Sequence, residues 1–136
     1  KYGFVLSFLR SIEEDSERRD RFGRTLSALS PICRYVPDPS GEVIPRCFSS
    51  RGGEPRSVLQ LSHSEADAVL FAATAAVIGL DHSLVFIDRP DLHHEDLEPF
   101  IEGLLALGQD NQLFITGGAR LATAARGAQV VTLKPL

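Results

Sequence analysis

The chain has 136 residues, is 43% hydrophobic and 24% charged, and carries a formal net charge of -4, a balance that fits one folded domain and excludes disordered and collagen-like classes. The acidic excess argues against a surface that holds nucleic acid by bulk charge and leaves only a local basic patch for that purpose. Two cysteines, Cys33 and Cys47, are too few for a disulfide framework and match no zinc spacing, so a reducing, cytoplasmic setting is expected.

Gly3 to Leu9 is apolar behind Lys1, but a charge run follows without a small-residue cleavage site, so the segment does not read as a signal peptide. The longest apolar stretch, Ala66 to Leu80, is broken by Asp67, Thr74 and Gly79 and falls short of the roughly 20 residues a bilayer requires. No membrane association is expected. The chain begins on Lys and contains no Met, so the expectation is a chain that has been trimmed or is a piece of something longer.

Ser11-Ile12-Glu13-Glu14 fits a capping box, and the sequence predicts a helix from there to about Leu29. Its first half is charged nearly all round, while Phe22, Leu26 and Leu29 supply an apolar stripe to the second. Arg18, Arg19, Arg21 and Arg24 could touch phosphates, but Glu13, Glu14, Asp15, Glu17 and Asp20 offset them, and a face projecting into solvent is the expected reading. Cys33 to Val36 and Val43 to Cys47 flank the turn-rich Asp38-Pro39-Ser40-Gly41 and read as a hairpin with Cys33 opposite Cys47. Pro45 would keep the second strand at an edge. Ser49 to Arg56 reads as a loop.

From Ser57 onward strand-like runs alternate with helical patterns: strand Val58–Leu61, helix Ser64–Leu80, strand Leu84–Asp88, helix Asp96–Leu107, strand Gln112–Thr116, helix Ala119–Arg126 and strand Gln129–Leu133. Such alternation makes a parallel sheet with crossover helices. The expected fold is therefore α/β, a single domain over 1–136. A helix and hairpin occupy 1–56, and a parallel core of about four strands occupies 57–136. Leu97, Phe100, Ile101, Leu104 and Leu105 give one helix a clear stripe, with Pro99 in its first turn and Gly108 as its stop.

Ser83 to Asp91 is the stretch around which the candidate chemistry gathers. Leu84 to Ile87 reads as a strand buried on both faces, and Asp88 then sits at its carboxyl end, where ligands bind in open α/β sheets. An acid that merely opens a turn before Pro90 accounts for the same residues. Upstream, Ser62 and Glu65 form a second capping box, either a plain helix cap or a helix start whose free N–H groups suit a phosphate. Downstream, Thr116-Gly117-Gly118 ends a strand and permits close approach of a ligand or a tight turn. His93, His94, Glu95 and Asp96 are adjacent and cannot all face one ion, which disfavours an independent metal site. His63 and His82 also read as ordinary cap and loop residues.

In order and spacing, Leu61-Ser62-His63-Ser64-Glu65, then Leu84 to Asp88, then Pro90-Asp91-Leu92-His93, then a strand ending on Thr116 resemble the carboxyl-terminal half of an ABC-type ATPase. Within that P-loop NTPase-like group the chain is similar to the AAA branch with SMC-like, RecF-like and OLD-like members, over roughly Phe22 to Pro135. The resemblance implies ATP and Mg²⁺ as cofactors, with Ser62, His63, Ser64, Glu65 and Asp91 toward nucleotide and Asp88 as the Walker B metal residue. It implies a homodimer, or an amino-terminal part of the same protein, as partner.

Departures from the family pattern are equally specific. Arg89 stands where the family has its catalytic glutamate, and a guanidinium that stays protonated cannot be a general base. Gly118 stands where the switch histidine belongs, and Ser64 where the signature has glycine. No G-x-x-x-x-G-K-[ST] occurs; in the family that loop precedes the signature. The expected function is thus an ABC-type ATPase-like part with impaired or absent hydrolysis. The alternative is a non-catalytic interaction module that keeps the fold without binding nucleotide.

Overall fold

The computed structural model describes residues 2–50, 53–125 and 127–132. Its elements are α1 (Tyr2–Glu13), α2 (Ser16–Leu29), β1 (Cys33–Tyr35), β2 (Phe48–Ser50), α3 (His63–Val77), β3 (Leu84–Asp88), α4 (Leu97–Leu105), β4 (Gln112–Thr116) and α5 (Ala119–Ala124), with short 3-10 turns at Val58–Gln60 and Pro90–Leu92. The chain is a mixture of helix and strand with two small sheets, compatible with an α/β class. No helix among the described residues is long and apolar enough to cross a membrane.

The amino-terminal region forms two helices where one was expected. Val5, Leu9 and Ile12 recur at helical spacing and are buried, so the apolar run becomes a helix of its own. The cap of α2 is Asp15, whose carboxylate accepts from the Glu17 and Arg18 N–H groups at 2.9 and 3.1 Å. Ser11 lies inside α1 and forms no capping box; its Oγ accepts from the Arg18 guanidinium at 2.6 Å. Phe22, Leu26 and Leu29 are buried as their spacing implies. Phe22 meets Tyr35 and Phe48 edge-on at 5.1 and 6.4 Å, and its burial alone is worth about 2–3 kcal/mol.

The hairpin exists, but its second strand begins at Phe48 instead of Val43, so Cys33 pairs with Ser50 and not with Cys47. The Asp38 carboxylate explains the shift. It accepts from Ser40 N–H at 2.9 Å and Arg46 N–H at 2.8 Å, folding the intervening residues into a wide loop before the ladder starts. Both cysteines are buried and free, and burial pushes each thiol up to about 12. They are inert packing residues.

Val58–Leu61 is not a strand. Gln60 Oε1 reaches back to the Ser57 N–H at 2.9 Å and closes a 3-10 turn, a local bond that competes with sheet pairing. Helix α3 follows and is the centre of the core, with Ala68, Val69, Ala72, Ala73, Ala75 and Ala76 buried against α1 and α2. Small side chains let these helices approach closely. A single buried cluster joins α1, α2, the hairpin, α3, one face of β3 and α4.

Strands β3 and β4 have the expected limits and pair in parallel, with Asp88 opposite Thr116. They are the whole parallel sheet among the described residues, where about four strands were expected. Residues 129–132 form no strand, and Leu133 lies outside the described residues. An apolar run becomes a strand only when it pairs with a ladder partner, and Val130 and Val131 pair with no strand among the described residues. Nor is β3 buried on both faces: Val85 and Ile87 point into the core, while Leu84 and Phe86 face out. Helix α4 ends at Leu105 with Ala106 as its cap, short of Gly108. The glycine serves packing instead, since a Cβ there would fall 1.8 Å from the Leu80 carbonyl oxygen.

Candidate functional site at the tip of the parallel strands

The parallel register brings the ends of β3 and β4 together. Thr116 Oγ1 donates to Asp88 Oδ1, and the Arg89 N–H donates to the Thr116 carbonyl at 3.1 Å and to its hydroxyl at 3.2 Å. Arg89 takes a left-handed backbone conformation with φ 50° and ψ 51°, a sparsely occupied region for a residue with a side chain. The chain turns there into the Pro90–Leu92 3-10 turn. Asp88 is thus an exposed carboxylate in the position the sequence assigned it.

Arg89 does not project freely. Its Nε and Nη2 donate to Asp91 Oδ1 and Oδ2 at 3.0 and 3.3 Å, and Asp91 Oδ2 also accepts from the Gly118 N–H at 3.0 Å. The Arg89 hydrogen bonds, then the Gly118 N–H, hold the Asp91 carboxyl below its ordinary range. The same contact raises Arg89 above its ordinary value. Gly118 favours this closeness: a Cβ there would lie 3.1 Å from Asp91 Oδ2, a tight contact that the carboxylate would have to relieve by a small shift. Gly118, singled out by sequence as a missing side chain, is therefore the seat of the Asp91 carboxylate.

At the start of α3, Ser62 Oγ accepts from the Glu65 N–H at 3.3 Å and the Glu65 carboxylate accepts from the Ser62 N–H at 2.9 Å, completing the expected capping box. Glu65 has a further partner, Arg56, at 2.7 Å. Burial opposes its charge, but Arg56 and the Ser62 amide outweigh burial and hold its pKa below the usual value. Both carboxylate oxygens are thus engaged within the chain. Ser64 Oγ lies 3.2 Å from Ser62 Oγ. His63 stacks on His93 with ring centres 5.2 Å apart, which sets the start of α3 beside the segment following β3.

Three residues that sequence reasoning missed or passed over complete the arrangement. Arg120 donates to the carbonyls of Asp91, His94 and Glu95 at 3.3, 3.4 and 2.8 Å, tying α5 to the segment after β3. A cation in the first turn of a helix opposes the helix dipole, and that misfit was the available signal. Arg56 has no sequence signature as the partner of Glu65. His94 is buried against Phe100, with ring centres 3.7 Å apart, and its Nε2 has no hydrogen-bond partner among the described residues. Burial lowers its pKa, against a nearby Asp67 carboxylate 4.0 Å away.

The donor set fits Mg²⁺ only in part. Mg²⁺ is commonly held by one or two carboxylates together with water and substrate phosphate oxygens, a role open to Asp88 but not to the clasped Asp91. No group of three or more acids, histidines or cysteines able to hold an ion occurs among the described residues. Comparison of the chain with family models, curated proteins and solved structures finds no match.

Proposed function

We propose that the chain is the carboxyl-terminal part of an ABC-type ATPase-like domain, contributing the β3 tip and the start of α3 to a Mg-nucleotide site whose hydrolysis is impaired. The observation that carries this reading is the register of β3 with β4, which sets Asp88 and Thr116 side by side at the sheet's carboxyl end. The stacking of His63 on His93 supports it by joining the α3 start to the same end. Bound Mg²⁺ would neutralise phosphate charge; Asp88 would hold it, and Ser62, His63 and Ser64 would face the nucleotide. Arg89 supplies no base, and its link to Asp91 removes that acid as a substitute.

A non-catalytic interaction module is the second reading, favoured by one observation: the Glu65 carboxylate and the Ser62 hydroxyl are engaged within the chain. Calorimetry with Mg-ADP on the full-length protein separates the two. Binding that falls about tenfold or more in Asp88→Asn supports the nucleotide site. In protein that binds, Arg89→Glu should raise ATP turnover by restoring an acid at the strand tip. Absence of binding by the wild type would overturn the site and leave the module.

A further inference from the structure

One face of the β3–β4 pair has no covering layer among the described residues. Leu84, Phe86 and Phe114 project from it, exposed by 63, 71 and 43%. Phe86 and Phe114 stack with ring centres 4.9 Å apart and planes within 12°. A groove of about 380 Å³ runs along this face, lined by residues that include both phenylalanines, Thr116, Gln129 and Val131. Val130 and Val131 are themselves exposed. Parallel strands are ordinarily covered on both sides, and a lone pair of strands is marginal.

We infer that this face is the interface between two copies of the chain. Its area suits that occupant. Scaling roughly 200 Å² for an aromatic side chain, and somewhat less for an aliphatic, by these exposures, Leu84, Phe86, Phe114 and Val131 offer about 450 Å² of apolar surface per copy. Two such faces together remove about 900 Å² from water before any rim contact is counted, close to the lower bound of about 1,000 Å² for a specific interface. Its pattern suits a second copy as well. The aromatic stack lies centrally between Leu84 and Asp88, and Asp88 is the one charged residue on the two strands. A two-fold axis through the stack sets ring against ring and sends the two Asp88 carboxylates to opposite rims. No unpaired charge is then buried at the centre.

This inference does not depend on nucleotide binding. Sedimentation or light scattering of the full-length protein at tens of micromolar should give twice its chain mass. Phe86→Asp should give the monomer mass with an unchanged circular dichroism spectrum, because the side chain stands outside the buried core and gives up its stack on Phe114 without opening a core cavity. Val43→Asp, at an equally exposed apolar residue in the loop before β2, should leave the dimer intact. A wild-type monomer, or a dimer unaffected by Phe86→Asp, would overturn the proposal. Phe86→Asp protein that is unfolded is replaced by Phe114→Ser, read in the same way.

Discussion

The two faces of β3 carry similar side chains and meet opposite environments. Val85 and Ile87, exposed by 9 and 7%, close the core formed by the helices, whereas Leu84 and Phe86 stand in the open. The inner face therefore contributes stability to the folded chain, and the outer face offers stability only to an assembly. The difference shows that hydrophobicity alone does not place a residue in the core. What decides is whether the chain supplies an opposing layer.

The largest effect expected on the inner side comes from the aromatic cluster. Phe22→Ala should cost about 4 kcal/mol in urea denaturation, through lost burial and a cavity between α2 and the hairpin. A cost under about 1 kcal/mol would mean that the helices collapse onto the gap and that the core is looser than its burial implies.

A smaller loss is expected at the polar seam beside α3. Glu65→Ala removes the partner of Arg56 and half of the capping box, and should cost about 3 kcal/mol. Replacing both residues with apolar ones, Arg56→Met with Glu65→Leu, should recover part of that loss, since no uncompensated charge remains. If the double variant is no better than the single one, the cap and not the ion pair is what Glu65 provides.

The smallest effect concerns pH. His94 is held neutral by burial, with its pKa below the ordinary 6.5. The unfolded chain therefore binds a proton that the folded chain resists, and stability rises with pH across this window. The contribution is complete above the ordinary value and is lost as pH falls through the lowered one. His94→Gln should flatten the acid limb of the stability profile between neutrality and mild acid. Equal slopes for the two proteins would remove His94 from that limb.

Much of the strand tip was legible in the chain itself. The limits of β3 and β4, the Ser62–Glu65 cap and the site of Asp88 all follow from short-range patterns: an apolar run ending on an acid, a cap spaced three residues from its partner. The Asp91 clasp was not legible, because its partners are a backbone amide and a guanidinium that only the turn after β3 brings together. Arg56 and Arg120 escaped for a related reason. Their partners lie far along the chain, and an arginine carries no local mark of which oxygen it will meet.

Local chemistry in the sequence determined the helices α2 to α5, the two parallel strands and the acid at their tip, since period, caps and strand-ending residues act within a few positions. The break between α1 and α2 at Asp15, the late start of β2, and the turn in place of a strand at Val58–Gln60 are local as well: side chains took backbone partners two to eight residues away that compete with the expected ladder or helix, and no hydrophobic period marks them. Tertiary structure decided instead that Arg56 meets Glu65 and that Arg120 ties α5 to the segment after β3. It also decided that Phe86 faces out. Burial depends on a second layer, and a strand's own residues cannot encode whether another element lies above them.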